Sequence, residues 1–352
     1  MPLTFCLKVF AACCVLALVP CAAQDPAPGL PAVAAGRDGP ERKPVPPPTI
    51  VQLDTVTVTG LQPGPGLWRV SKGDHQLWIL GSLSPRPDRI SWDSGPVRER
   101  VAASQQVLLE PKFVVDMDVG LFKMATLGIR FHQAQKNPDG QTLEDVLPAD
   151  VYARWQRARQ QYMPRNGGVE RKRPLVAADD LLDAALQRNG LTDDTLVEPE
   201  VIAEAKSKGI KVSQPQVTTQ VEDPRAALQE AAKISLNDVQ CLVATLDAID
   251  QDLPRIVTNA NAWAIGDIER VSFAQLERRD RLCSDAFSGA EFARKRGIPN
   301  LRTSSMQRWL DAADVALHRN ASTFGVVPLE DIVAIDGYAA RLAAKGYTVE
   351  AP

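Results

Sequence analysis

Short apolar runs that are typical of β-strands lie near both ends of the chain, and longer runs with the helical period lie between them. Residues 67–70 and 76–80 flank a Gly-Asp turn at Gly73, which predicts a β-hairpin. The other predicted strands are residues 55–59, 106–110, 210–212, 322–327 and 346–349. Because these strands come from distant parts of the sequence, we expect a sheet in which short turns do not join all of the neighbouring strands.

Helical periodicity dominates from about Leu143 to Leu282. Val151, Trp155 and Ala158, for example, fall on one face of a helix. The predicted helices are residues 95–106, 151–162, 175–186, 197–208, 226–249, 306–317 and 336–345. We therefore expect an α/β (α+β) fold, in which a mixed sheet is built from N- and C-terminal strands and carries a large helical insertion over about residues 143–282.

Residues 1–23 have the pattern of a secretory signal peptide. A lysine precedes an apolar run at residues 9–19, and small residues follow it, which predicts cleavage after Ala23. The run is too short to cross the roughly 30 Å core of a bilayer as a helix. A lipoprotein signal at Cys21 is the competing interpretation, which Pro20 disfavours. We expect a periplasmic or secreted protein with no transmembrane segment in the mature chain.

After the predicted signal peptide, the amino-acid composition changes once, at about residue 50. Residues 24–50 are rich in proline, alanine and glycine, which is typical of a disordered linker that cannot bury a core. Residues 51–352 suit one domain with an insertion. The formal net charge of −3 gives no reason to expect a nucleic-acid partner.

Of the cysteines, only Cys241 and Cys283 lie outside the predicted signal. An even number of cysteines in an oxidising compartment predicts one disulfide. Two separate buried thiols are the alternative.

Three residues mark the ends of predicted strands: Ser84, Glu110 and Pro328. In open α/β sheets, ligands bind beyond the carboxyl ends of the strands. If these strands are neighbours, their ends converge on one crevice, and that crevice is the candidate site.

The sequences around two strand–glycine turns, at Gly81 and Gly325, resemble the TraB/GumN family, which is related to the Tiki proteases. The resemblance covers roughly residues 65–350. It also rests on the segments 66–70, 108–110, 262–267 and 341–350. Where the family has Arg-Asn, this chain has Asp280-Arg281, and Leu282 replaces the asparagine.

The resemblance implies a metal-dependent hydrolase whose two turns read Gly-x-x-His and hold a divalent ion such as Mn, Co or Zn. Here the two histidine positions are Ser84 and Pro328. Serine is a poor ligand for such a metal, a proline side chain cannot ligate, and Glu110 alone falls short of the three protein ligands of a catalytic zinc site. We therefore expect no bound metal and a degenerate pocket formed by Gly81, Ser84, Glu110, Arg281, Gly325 and Pro328.

Other residues are poor replacements for the missing metal ligands. We expect surface or capping roles for His75 in the hairpin turn, His132 in an irregular stretch and His318 after a helix. Ser84 lacks the Gly-x-Ser-x-Gly context of a nucleophile. Glu110 is either a residual acid or base or, as we favour, the ion-pair partner of Arg281.

These observations favour a non-catalytic binding or accessory protein of the periplasm, a pseudoenzyme whose partner is an unknown envelope protein, peptide or glycan. One alternative is a divergent Tiki-type hydrolase or peptidase that uses a pocket around Ser84, Glu110 and Arg281. Another is an envelope or exopolysaccharide accessory factor, which only the family name suggests.

Overall fold

The computed structural model describes residues 64–116, 121–221, 223–233, 238–272, 274–288 and 299–352, together with Lys295 and Gly297. The predicted signal peptide, the linker and the strand predicted at residues 55–59 lie outside the described residues. Among the described helices, none combines the length and the apolar character that crossing a membrane requires.

One six-stranded sheet organises the domain, in the order β10-β1-β2-β9-β4-β7. The strands of the fold are β1 Leu67–Lys72, β2 His75–Ser82, β3 Arg86–Pro87, β4 Gln106–Leu108, β5 Lys112–Asp116, β6 Leu191–Thr192, β7 Lys211–Ser213, β8 Gln216–Gln220, β9 Ser322–Pro328 and β10 Thr348–Glu350. The central strands β2, β9, β4 and β7 run parallel, whereas β1 is antiparallel to both of its neighbours, β2 and β10. The predicted hairpin and the predicted mixed α/β fold are therefore confirmed.

The helices are α1 Gly95–Ala102, α2 Leu121–Ala134, α3 Leu143–Val146, α4 Ala149–Tyr162, α5 Pro174–Arg188, α6 Val197–Ser207, α7 Pro224–Lys233, α8 Val239–Gln251, α9 Ile256–Ala264, α10 Ala274–Ser288, α11 Leu301–Arg319, α12 Leu329–Val333 and α13 Tyr338–Ala344. Single turns of 3₁₀ helix cover Pro138–Gly140, Gly167–Arg171, Leu253–Arg255 and Ile268–Arg270. The helix predicted at 226–249 is wrong as a single element, because a new helix begins after Asp238, whose carboxylate accepts the Leu175 N–H.

The predicted insertion contains strands as well as helices. It contributes β7, which pairs with β4 and forms one edge of the sheet. The pairing Val107 with Val212 aligns two β-branched residues, which favours this edge. The strand β5, which sequence analysis did not predict, begins directly after Pro111 and pairs with β8 in a separate two-stranded sheet.

The core packs α11 against the central strands. Leu77, Ile79 and Phe324 are at most 1% exposed. Trp309 of α11 is also fully buried and packs next to Gly325, on the face of the sheet that carries Leu77 and Ile79, whereas Phe324 belongs to the opposite face. Burial alternates along the first half of β2, from Gln76 to Ile79, whereas β9 is buried along nearly its whole length, as expected for a central parallel strand that is covered on both faces. The sheet is therefore covered rather than exposed where its central strands meet.

Cys241 of α8 and Cys283 of α10 form a disulfide, as predicted. Both cysteines are fully buried, and the bond joins two helices whose side chains pack along one another.

We expect Cys241 and Cys283 to resist alkylation in the denatured, unreduced protein and to react after reduction. The cysteines are 42 residues apart in sequence, so loop-closure entropy gives the disulfide a contribution of about 4 kcal/mol to the free energy of unfolding. A Cys241→Ala/Cys283→Ala variant should therefore melt several degrees lower, and reduced wild-type protein is its control. Labelling of both thiols without a reductant would contradict the disulfide.

Candidate functional site

The carboxyl ends of three parallel strands reach the same edge of the sheet. Ser82 of β2 is opposite Pro328 of β9, and Leu108 of β4 is opposite Gly325 of β9. Glu110 follows β4 and Ser84 follows β2, so the register aligns the three strand ends that the sequence singled out. This is the edge at which α/β sheets bind ligands.

The two glycines before this edge are required by packing. A Cβ atom on Gly325 would lie 2.8 Å from Cζ2 of Trp309, and one on Gly81 would lie 2.8 Å from Cδ1 of Leu329. Real Cβ contacts are not that short, so α11 and α12 approach the sheet only because these positions lack a side chain. The Gly81 carbonyl also accepts a 2.8 Å hydrogen bond from Nε1 of the buried Trp263.

Ser84 lines a narrow cleft beyond the end of β2. Its hydroxyl donates a 3.1 Å hydrogen bond to the backbone carbonyl of Asp193. The buried Arg86 holds the same two segments together, because its Nε donates to the Asp194 carbonyl at 3.0 Å. The Ser84 oxygen is therefore engaged in positioning a loop, and no histidine lines the cleft beside it.

Glu110 has a different environment from the one predicted. It accepts a short hydrogen bond from Ser82 Oγ, while its backbone N–H donates to Oε1 of Glu198 at 3.2 Å. Burial raises the pKa of Glu110 from its ordinary 4.5 to about 7. The Ser82 hydroxyl opposes this rise in pKa, and the negative charges of Glu198 and Asp331 add to it.

Glu330, which sequence analysis missed, is the second unusual carboxyl. It lies in α12, two residues after Pro328, and lines the cleft. Burial, with the charge of the adjacent Asp331, raises its pKa from 4.5 to about 8. Asp331 itself pairs with Arg302. The signal in the sequence was Leu329-Glu330-Asp331 directly after the strand-end proline, because a helix beginning there turns its first residues toward the edge of the sheet.

The predicted Glu110–Arg281 ion pair is wrong. The side chain of Arg281 is 51% exposed, and its Nη1 lies 3.7 Å from Oε2 of Glu277, one helical turn away. The arginine that reaches the cleft is Arg279, which is 1% exposed and pairs with Asp179. Helical phase distinguishes the two arginines, since Arg279 is three residues after the buried Leu276 and four before the buried Cys283.

The cleft itself is small. It encloses about 40 Å³ and is lined by Ser84, Asp193, Glu277, Arg279, Asp280 and Glu330, with leucines from α5 and α10. One water molecule needs roughly 10–15 Å³ of such space, so the cleft holds a few water molecules or one small group such as the tip of a side chain. Glu110 and Pro328 lie at the same edge of the sheet without lining the cleft.

The residues at this edge do not fit a hydrolytic metal. Within the described residues, no group of three or more His, Cys, Asp and Glu side chains is arranged to hold a metal ion. His75 Nδ1 lies 2.8 Å from the Asn320 carbonyl oxygen, and His318 Nδ1 lies 2.8 Å from the Asp314 carbonyl oxygen. His132 lies in α2, so its predicted place in an irregular stretch is wrong.

The sheet and its acidic edge define a mixed α/β protein with a strand-end cleft. The chain belongs to the TraB/PrgY/gumN family, because the model of that family matches residues 66–351. The resemblance seen in the sequence is thereby confirmed. No curated protein and no solved structure matches the chain.

We expect the raised pKa of Glu110 to make the protein less stable as the pH rises. A carboxyl whose pKa is higher in the folded state favours folding when it is protonated, so this contribution is lost between pH 4.5 and about pH 7. Glu110→Gln keeps an acceptor for Ser82 but cannot ionise. Its stability relative to wild type should grow by as much as about 3 kcal/mol between pH 4 and pH 8, measured by urea unfolding.

Glu269→Gln, at an exposed glutamate, is the matched control and should follow wild type across the same pH range. A Glu110→Gln curve parallel to wild type would show that Glu110 ionises normally.

Proposed function

We propose that this member of the TraB/PrgY/gumN family is exported and acts in the periplasm as a non-catalytic binding or accessory protein. The observation that carries the proposal is the set of donors at the strand ends. The Ser84 hydroxyl is hydrogen-bonded to a backbone carbonyl, and Pro328 has no ligating side-chain atom. A catalytic zinc site typically takes three protein ligands and an open position, which these side chains do not supply.

The protonation of the remaining carboxyls supports the same proposal. Burial raises the pKa of Glu110 to about 7 and that of Glu330 to about 8, so both carboxyls bind protons more tightly than an exposed glutamate does. Metal ligands must be deprotonated, so a cation would have to displace protons that burial and neighbouring carboxylates favour. The edge of the sheet is therefore better suited to hydrogen bonding than to metal coordination.

The size of the cleft supports a macromolecular rather than a small-molecule partner at this edge. A space of about 40 Å³ accepts one side-chain tip, so a partner that inserts such a group would make most of its contacts outside the cleft. An envelope protein or an exposed peptide has this form, and we propose one of these as the partner.

The alternative of a divergent hydrolase around Ser84, Glu110 and Arg281 has less support. Arg281 points to Glu277 at the surface, and among the residues that the structure describes Ser84 Oγ bonds to the Asp193 carbonyl and to no basic side chain. The raised pKa values of Glu110 and Glu330 are the observation in favour of this alternative, since general acids are tuned toward neutral pH.

The proposal predicts that the purified exported protein contains no stoichiometric Mn, Co or Zn and shows no thermal shift when each ion is added. It also predicts no cleavage of a mixed peptide library with or without these ions. Elemental analysis and mass spectrometry test both points. One equivalent of metal that disappears in Glu110→Ala, but persists in the exposed-site control Glu269→Ala, would overturn the proposal.

Export predicts a mature N-terminus at Gln24 in the periplasmic fraction, because cleavage is expected after Ala23. N-terminal sequencing of the fractionated protein measures this. Cys21→Ala should leave the processing unchanged, whereas a mature protein that begins at a lipid-modified Cys21 would establish the lipoprotein interpretation.

A further inference from the structure

A second and much larger depression lies on another side of α5. It is an open groove of about 880 Å³ between the C-terminal end of α4 and α5. Asp183 of α5 lines both this groove and the strand-end cleft, while Leu182 and Leu186 line only the cleft. The helix α5 therefore forms a wall between two separate depressions, and the volume of the groove is in the range of small-molecule sites.

The groove contains two arginines that have no counterion within the described residues. Arg165 and Arg188 are exposed and line the groove, and neither makes a side-chain hydrogen bond or ion pair there. Lys172, also in the groove, is bound to Asp180 at 2.6 Å. Lys172 therefore balances the charge of Asp180. Asp183 is the other carboxylate of the groove, so the three basic side chains exceed the acidic ones by one positive charge.

Within the described residues, neither arginine forms an ion pair with a carboxylate, although one has a structural role. Arg188 is in the last turn of α5, where a cation is stabilised by the helix dipole. Arg165 lies after the end of α4, outside any helix, and the dipole does not explain it. By contrast, Arg154 and Arg302 each pair with an aspartate.

The neutral polar groups of the groove include further donors. The Tyr162 hydroxyl accepts a 3.0 Å hydrogen bond from Gln161, which leaves its own hydrogen free to donate. The side-chain amides of Asn166 and Gln187 also line the groove. Guanidinium groups bind carboxylates and phosphates in a bidentate manner, and amide and hydroxyl groups suit a hydroxylated ligand.

We propose that this groove binds a small hydrophilic molecule that carries a carboxylate or a phosphate group. The anion would lie between Arg165 and Arg188, and the hydroxyl groups of the ligand would face Tyr162, Asn166 and Gln187. This site is separate from the strand-end cleft and does not depend on the function proposed for that cleft.

Titration calorimetry of the exported protein with glucuronate, glucose 6-phosphate and glucose tests the proposal. We expect at least one of the two anionic probes to bind more tightly than glucose, with an affinity that falls as sodium chloride is added. The tighter of the two identifies the anion as carboxylate or phosphate. No preference for either anionic probe over glucose would overturn the proposal.

The double variant Arg165→Ala/Arg188→Ala should bind the preferred probe about tenfold or more weakly, as expected for lost charge-assisted hydrogen bonds. Arg98→Ala/Arg319→Ala is the matched control, because it removes two exposed arginines from α1 and α11 and changes the net charge equally. An equal loss of affinity in the control would show that the effect comes from the overall charge of the protein, and it would overturn the proposed site. Circular dichroism of both variants checks that they remain folded.

Discussion

The parallel pairing of β2 with β9 is the constraint on which the rest of this fold depends. It joins two segments from opposite ends of the domain, in register from Gln76 opposite Ser322 to Ser82 opposite Pro328. The remaining strands of the main sheet extend outward from this pair, and α11 packs on it. The chain between the two segments leaves this pair and returns to it, and it adds β4 and β7 to the sheet on the way. The helices of the middle region are arranged around that closure.

This pairing also explains the positions of two glycines and of one helix whose first turn is acidic. Gly81 and Gly325 let α12 and α11 approach the central strands closely. Because α12 begins at Leu329, directly after β9, it carries Glu330 and Asp331 to the end of the sheet. The concentration of carboxyls at this edge is therefore a consequence of local chain geometry around one strand end, and burial then raises the pKa of Glu330.

The sequence predicted the parts of this structure that local pattern determines. Alternation and turn residues located β1, β2 and β9, and cysteine counting located the disulfide. Contacts between distant residues could not be predicted in the same way. Helical phase favours burial of Arg279 over Arg281. Its partner Asp179 lies in another helix, however, and a local pattern does not show that contact. The raised pKa of Glu330 comes mainly from burial, which the sequence near Pro328 does not show, and also from the charge of the adjacent Asp331, which it does.

The disulfide lies next to the polar network that supports the cleft. Thr245 is one helical turn after Cys241, Arg279 is one turn before Cys283, and Arg279 Nε donates to Thr245 Oγ1 at 3.3 Å. The covalent bond and this hydrogen bond thus join the same two helix faces at adjacent levels. Arg279, which lines the cleft, is therefore supported by a disulfide that forms only after synthesis. If the same chain folded where thiols stay reduced, Arg279 would be held less firmly.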